Sequence, residues 1–164
     1  MRKSLKLTLA MAVFACAALT FWAAAASATS GAHFMSATGS VNNSGALVVS
    51  WDEAGVGQEQ VNYVLTADST ATYACINGGG NHPKAANKAS FAGPVTSPSV
   101  GFLPQNGRVR GSIAVGPISA DGFSCPGGQR LVLASVSYTN IVLTDTTNNV
   151  STSVADTSRT FFDV

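Results

Sequence analysis

Charge is what this sequence has least of. Asp, Glu, Lys and Arg make up 10% of its 164 residues, with nine basic side chains against eight acidic ones. So weak a balance leaves no basic stripe to hold a nucleic acid. Histidine is scarcer still: His33 and His82 are the only two, and neither has a second histidine at ligand spacing. There is no Asp-x-Asp-x-Asp-Gly run for calcium and no Gly-x-Ser-x-Gly elbow for an acyl-transfer serine. A serine triad would need His33, near the start of the folded part, or His82, in a glycine-rich loop. Asp52 and Glu53 are adjacent carboxylates. Continuing the preceding strand would send them to opposite faces, and Gly55 and Gly57 favour a loop beginning there instead. These absences lead us to expect no metal, no cofactor and no enzymatic activity.

Long apolar runs are also missing, with one exception. Arg2, Lys3 and Lys6 precede an apolar stretch from Leu7 to Ala26, which closes on Ala26-Ser27-Ala28, the pattern of a cleaved secretory signal. As a membrane anchor the run is barely long enough and has no charge cluster after it. A lipid-attachment reading at Cys16 is weakened by Phe14 and by the apolar residues that continue through Leu19, Phe21 and Trp22. Residues 1–28 are therefore expected to be removed, leaving residues 29–164 as one domain in an extracellular setting, free of the membrane. Loss of the three basic leader residues leaves six basic against eight acidic residues, a net charge of −2. Of three cysteines, Cys75 and Cys125 remain. In an exported chain they are expected to form a disulfide.

Helical periodicity is absent, while apolar residues alternate with polar ones repeatedly. Leu47, Val49 and Trp51 share one face of a strand from Ala46 to Trp51. Val61, Tyr63, Leu65 and Ala67 share another. Asp68-Ser69-Thr70 is expected to turn the chain into a second strand, Ala71 to Ile76, making a hairpin. Gly93-Pro94 and Ser97-Pro98 limit any strand between Ala89 and Pro98 to a short or edge position. Val100–Leu103 leads through Pro104-Gln105-Asn106-Gly107 into Arg108–Val115, a second hairpin with Val109, Ile113 and Val115 inward. Pro117–Gly128 is a loop by composition. In Arg130–Asp145 the inward parity is set by Val132, Ala134, Val136 and Tyr138 and then reversed by Ile141 and Leu143, which requires a bulge or bend near Thr139-Asn140. Val150–Val154 and Arg159–Val164 close the set. About eight or nine short strands predict an all-β, single antiparallel β-sandwich, an immunoglobulin-like or jelly-roll Greek key with one disulfide.

Candidate binding residues cluster after Cys75. Three glycines, Gly78 to Gly80, permit a tight backbone path, but the Gly-Lys-Ser/Thr ending of a phosphate loop is absent. Asn77, Asn81, His82, Lys84, Asn87 and Lys88 offer donors and acceptors beside the cross-link, as recognition of a polar ligand requires. The blander role, turn-capping asparagines and solubilising lysines, competes with it. Trp51 and Tyr63 share parity with apolar neighbours, so core packing is their expected use rather than sugar stacking. Asn42-Asn43-Ser44 and Asn149-Val150-Ser151 match the N-glycosylation pattern.

Three blocks, Ser50–Gly57, Leu65–Lys88 and Cys125–Asp145, are similar to a group of small secreted proteins of mycelial Gram-positive bacteria and some fungi. The resemblance covers most of the chain after the leader. It implies export and a compact stapled domain and carries no activity and no site residue. The expectation is thus a secreted, non-enzymatic binding module whose partner is an extracellular polar ligand, a glycan or a protein surface. A protease inhibitor is the first alternative, using Pro104–Gly107 or the 77–88 loop. A carrier resembling the enediyne chromoprotein apoproteins is the second, although those use two disulfides; a hydrolase is the third.

Overall fold

The computed structural model describes residues 31–77 and 87–164. The segment expected to be a signal, residues 1–28, and Asn81, His82 and Lys84 of the candidate loop lie outside the described residues. Among the described residues there are nine strands and no helix: β1 (His33–Val41), β2 (Leu47–Ala54), β3 (Val61–Asn77), β4 (Lys88–Thr96), β5 (Val100–Phe102), β6 (Arg108–Val115), β7 (Gln129–Asp145), β8 (Val150–Val154) and β9 (Thr157–Thr160). They form a three-stranded sheet in the order β1-β2-β6 and a six-stranded sheet in the order β4-β3-β7-β8, with β5 also on β3 and β9 also on β7. All pairings are antiparallel.

Alternation dictates the core. Leu47, Val49 and Trp51 of β2 and Val109, Ile113 and Val115 of β6 face Val61, Tyr63, Leu65 and Ala67 of β3 and Val136, Tyr138, Ile141 and Leu143 of β7. Trp51, Tyr63 and Phe102 form an aromatic cluster, with Trp51 and Tyr63 at 4.6 Å between centroids and Phe102 edge-on to both. The expected parity reversal in β7 falls at Asn140, whose φ is 50°. The partner strand shifts register at the same level, between Thr66 and Asp68. This is one bulge, with Asn140 and Ile141 of β7 opposite the single Ala67 of β3; it reverses the parity of β7 while β3 keeps its own from Val61 to Ala71, so both turn their apolar sides to one core.

Three local expectations are corrected. Asp68-Ser69-Thr70 does not turn: β3 runs straight through it for 17 residues. Asn140 Nδ2 donates to Asp68 Oδ2 at 2.7 Å, and buried Ser69 accepts from the Ile118 N–H at 3.2 Å, so cross-strand and loop partners take up the polar groups that a turn would have used. The hairpin partner of β3 is β4, which is an edge strand as expected but nine residues long. β5 pairs with β3 rather than closing a hairpin on β6; only Gln105 bridges back to Arg108. The Asn-Gly turn between them forms as expected, with φ of 52° at Asn106 and 72° at Gly107. β1 carries few apolar residues and escaped detection.

Cys75 and Cys125 form the disulfide, with Cα atoms 5.5 Å apart. It ties the end of β3 to the loop that feeds β7, the strand already paired beside it.

Candidate functional site

β3 has two chemically different ends. At the disulfide end lie the described members of the candidate loop. Asn77 is the last residue of β3, opposite Gln129. The Asn87 carbonyl accepts from the Cys75 N–H at 3.0 Å. Lys88 opens β4, and its Nζ donates to the Val164 carbonyl at 2.8 Å. Two of these three residues are thus tied into the scaffold, Asn87 through its main chain and Lys88 through its side chain. Asn81, His82 and Lys84 lie outside the described residues, so the six are not brought together as a described site.

The other end, where β3 begins, holds a second constellation. Asp52 and Glu53 belong to β2 and not to a loop, which corrects the expectation above. The ladder with β6 extends to Ala54 and Arg108, and Gly55 and Gly57, both at positive φ, begin the turn only after it. The two carboxylates consequently face opposite ways.

Asp52 points outward to two arginines of β6. Arg108 donates from Nε to Oδ1 at 2.5 Å and from Nη2 to Oδ2 at 2.6 Å, a bidentate pair. Arg110 donates from Nε to Oδ2 at 2.9 Å. Hydrogen bonding from Arg108 holds the Asp52 carboxyl down at about 2, and Arg110 adds to this. One carboxylate between two guanidiniums leaves one positive charge in excess. Arg110 is 71% exposed, and its terminal nitrogens bond to no other described residue. Leu103, 75% exposed, stands beside these arginines. With Gln105 and Asn106 they line a concavity of about 550 Å³.

Glu53 points inward and is fully buried. Tyr63 Oη donates to its Oε2 at 2.7 Å. Tyr63 pairs across the ladder with Asp145, itself buried and accepting from the N–H groups of Thr147 and Asn148 at 2.8 and 2.9 Å and from Asn148 Nδ2 at 2.6 Å. Glu53 Oε1 has no donor. Burial pushes the Glu53 carboxyl up to about 7; Tyr63 opposes this by bonding to the charged form, while Asp145 raises it further through its charge and a hydrogen bond. A protonated Glu53 therefore satisfies its own Oε1 by donating toward Asp145. Burial, then the bond to Glu53, pushes the Tyr63 phenol well above its ordinary range. Complete burial keeps this pair from meeting a ligand, so its work is internal.

A smaller cleft of about 290 Å³ lies between the β1–β2 turn and the start of β7, lined by Asn43, Ser44, Arg130, Val132, Leu133, Phe161 and Phe162. His33 bonds through Nδ1 to the Gly31 carbonyl at 2.6 Å. Among the described residues, no group of three or more His, Cys, Asp or Glu side chains is placed to hold a metal ion.

The sequence reading did not bring Asp52, Arg108 and Arg110 together. The signal was available in the Arg-x-Arg alternation. Using it required β2 to run three residues further than its last large apolar side chain, Trp51. Comparison with protein-family models, with curated proteins and with solved structures found no match to this chain.

Proposed function

We propose that this chain is an exported, non-enzymatic binding module that takes a negatively charged polar ligand in the concavity of Leu103, Gln105, Asn106, Arg108 and Arg110. The observation that carries this reading is the Asp52 clamp. It fixes Arg108 with two bonds and leaves Arg110 bound by Nε alone, with its side chain 71% exposed. A guanidinium held this way loses less side-chain entropy on meeting a carboxylate or sulfate. The exposed Leu103 adds apolar contact at the same place. Export is supported by the leader-like start of the chain and by the disulfide, a feature of oxidising compartments. An immunoglobulin-like topology is supported by the strand orders β1-β2-β6 and β4-β3-β7-β8. These correspond to A-B-E and C′-C-F-G, although the disulfide does not join the two sheets as it does in antibody domains.

The test is an array of acidic and neutral glycans and peptides probed with the wild type and with Arg110→Glu. Retention of an acidic subset by the wild type, lost in the variant, is the expected result. Identical profiles, or no retained probe, refute the site. The smaller cleft favours a second reading, a carrier of an apolar small molecule, through Val132, Leu133 and Phe161. Enhanced fluorescence of a hydrophobic dye, lost in Leu133→Ser, is its signature. The inhibitor reading is disfavoured at Pro104–Gly107, because the reciprocal Gln105–Arg108 bonds close that turn tightly where a protease needs an extended loop.

A further inference from the structure

An open sheet edge exposes unpaired main-chain groups, and folded proteins normally cover or blunt it. Three of the four edges here are managed. β1 is bulged between Phe34 and Ser36 and adjoins β8 and β9 of the other sheet. The β8/β9 edge is split into strands of five and four residues. β4 carries Pro94 in mid-strand, and Ile118 lies over it so closely that a Cβ at Gly93 would come within 2.8 Å of its side chain. The fourth edge, β6, has none of these devices. Its eight residues pair with β2 in unbroken register, it contains no proline, and among the described residues no strand lies on its other side. Gln105 closes the first rung against Arg108. The chain before it then departs to pair with β3, so from Arg110 to Val115 no described strand pairs with the free side of β6.

We infer that β6 accepts an additional strand, an acidic extended segment of another protein, paired through its main chain to the Arg110–Val115 edge. Main-chain bonds supply affinity in such additions, and alternate side chains supply specificity. Residues of the added strand on the outer face would lie beside Arg110, Ser112 and Ala114, all exposed, so a carboxylate there meets the excess positive charge around Asp52. Residues of opposite parity would continue the inward row of Ile113 and Val115, both buried, so apolar side chains belong there. The occupant is therefore a segment that alternates acidic and apolar residues. This inference rests on the proposed arginine site and names the partner that site takes.

Three capped probes separate the two ideas: a short peptide alternating glutamate and valine, its lysine-for-glutamate counterpart, and the glutamate peptide N-methylated at alternate nitrogens along its pairing edge. Binding is followed by fluorescence anisotropy, and backbone amide exchange across β6 is followed by NMR. The glutamate peptide is expected to bind and to slow exchange within Gly111–Val115. N-methylation is expected to weaken binding about tenfold, as loss of two net main-chain hydrogen bonds implies. The lysine peptide and the Arg110→Glu protein are expected to show no binding. If N-methylated and parent peptides bind equally and both need Arg110, strand addition is refuted while the arginine site stands. If the glutamate peptide does not bind, or binds without slowing β6 exchange, strand addition is refuted outright.

Discussion

The inward carboxyl of Glu53 makes the stability of this sandwich depend on pH in the direction opposite to that of most folded proteins. In the unfolded chain Glu53 loses its proton near 4.5, whereas in the fold it keeps the proton up to about 7. Between these values the folded state binds one more proton than the unfolded state, so stability falls as pH rises. Below 4.5 both states are protonated and the contribution is fully present. Above 7 both are ionised and it is gone. At about 1.4 kcal/mol per pH unit, a separation from 4.5 to about 7 corresponds to a loss of about 3 kcal/mol across that window. Asp52 acts in the other sense, because its lowered carboxyl loses stability only as pH falls from 3.8 toward about 2. The two windows do not overlap. The assay is urea denaturation followed by tryptophan fluorescence at a series of pH values from 4 to 8. Within residues 29–164 Trp51 is the sole tryptophan, and it sits against Tyr63. Glu53→Gln removes the titration while its amide can still accept from Tyr63 and donate toward Asp145. The variant is expected to match the wild type at acid pH and to exceed it by about 3 kcal/mol above pH 7, with no slope between. A wild-type stability that is flat or rising from 4.5 to 7, or a variant with the same slope as the wild type, refutes the shared-proton arrangement.

Other perturbations have separate signatures. Cys75→Ser with Cys125→Ser opens a loop with a sequence separation of 50 and should lower the unfolding free energy by about 4 kcal/mol, read as a fall in the urea midpoint that a reducing agent reproduces in the wild type. Gly111→Ala puts a Cβ 2.8 Å from Phe102 and 2.9 Å from Trp51, and should cost about 1–3 kcal/mol in thermal unfolding through overpacking. Tyr138→Phe removes the 2.7 Å bond from Oη to the Gly45 carbonyl. With that carbonyl left short of a partner, a loss of about 1–3 kcal/mol is expected in chemical denaturation.

Much of the fold was legible because its long strands alternate cleanly. The β7 reversal at Asn140 could be read from Tyr138 and Ile141 having opposite parity, and both are buried. The disulfide was legible because residues 29–164 contain only two cysteines, Cys75 and Cys125. Asp68-Ser69-Thr70 misled because turn-forming residues are defined by local chemistry, whereas here Asn140 and Ile118, more than forty residues away in sequence, supply their partners. The arginine site was hidden for a related reason. Its geometry depends on β2–β6 pairing, a contact between strands far apart in sequence, and nothing local to Asp52 reports on Arg108. Glu53 was hardest, since a glutamate on an inward face runs against the hydrophobic pattern until Tyr63 and Asp145 are placed beside it.

The β3–β7 ladder is the longest in the molecule, running from Tyr63 opposite Asp145 to Asn77 opposite Gln129. A ladder can be unzipped from either end. The Cys75–Cys125 cross-link fastens the Asn77 end, since it ties β3 to the chain entering β7. The Tyr63 end has no covalent tie and rests instead on the buried cluster of Tyr63, Glu53 and Asp145. Ionisation of Glu53 weakens that end and leaves the covalent tie closed, so fraying of the ladder is expected to begin beside the arginine concavity.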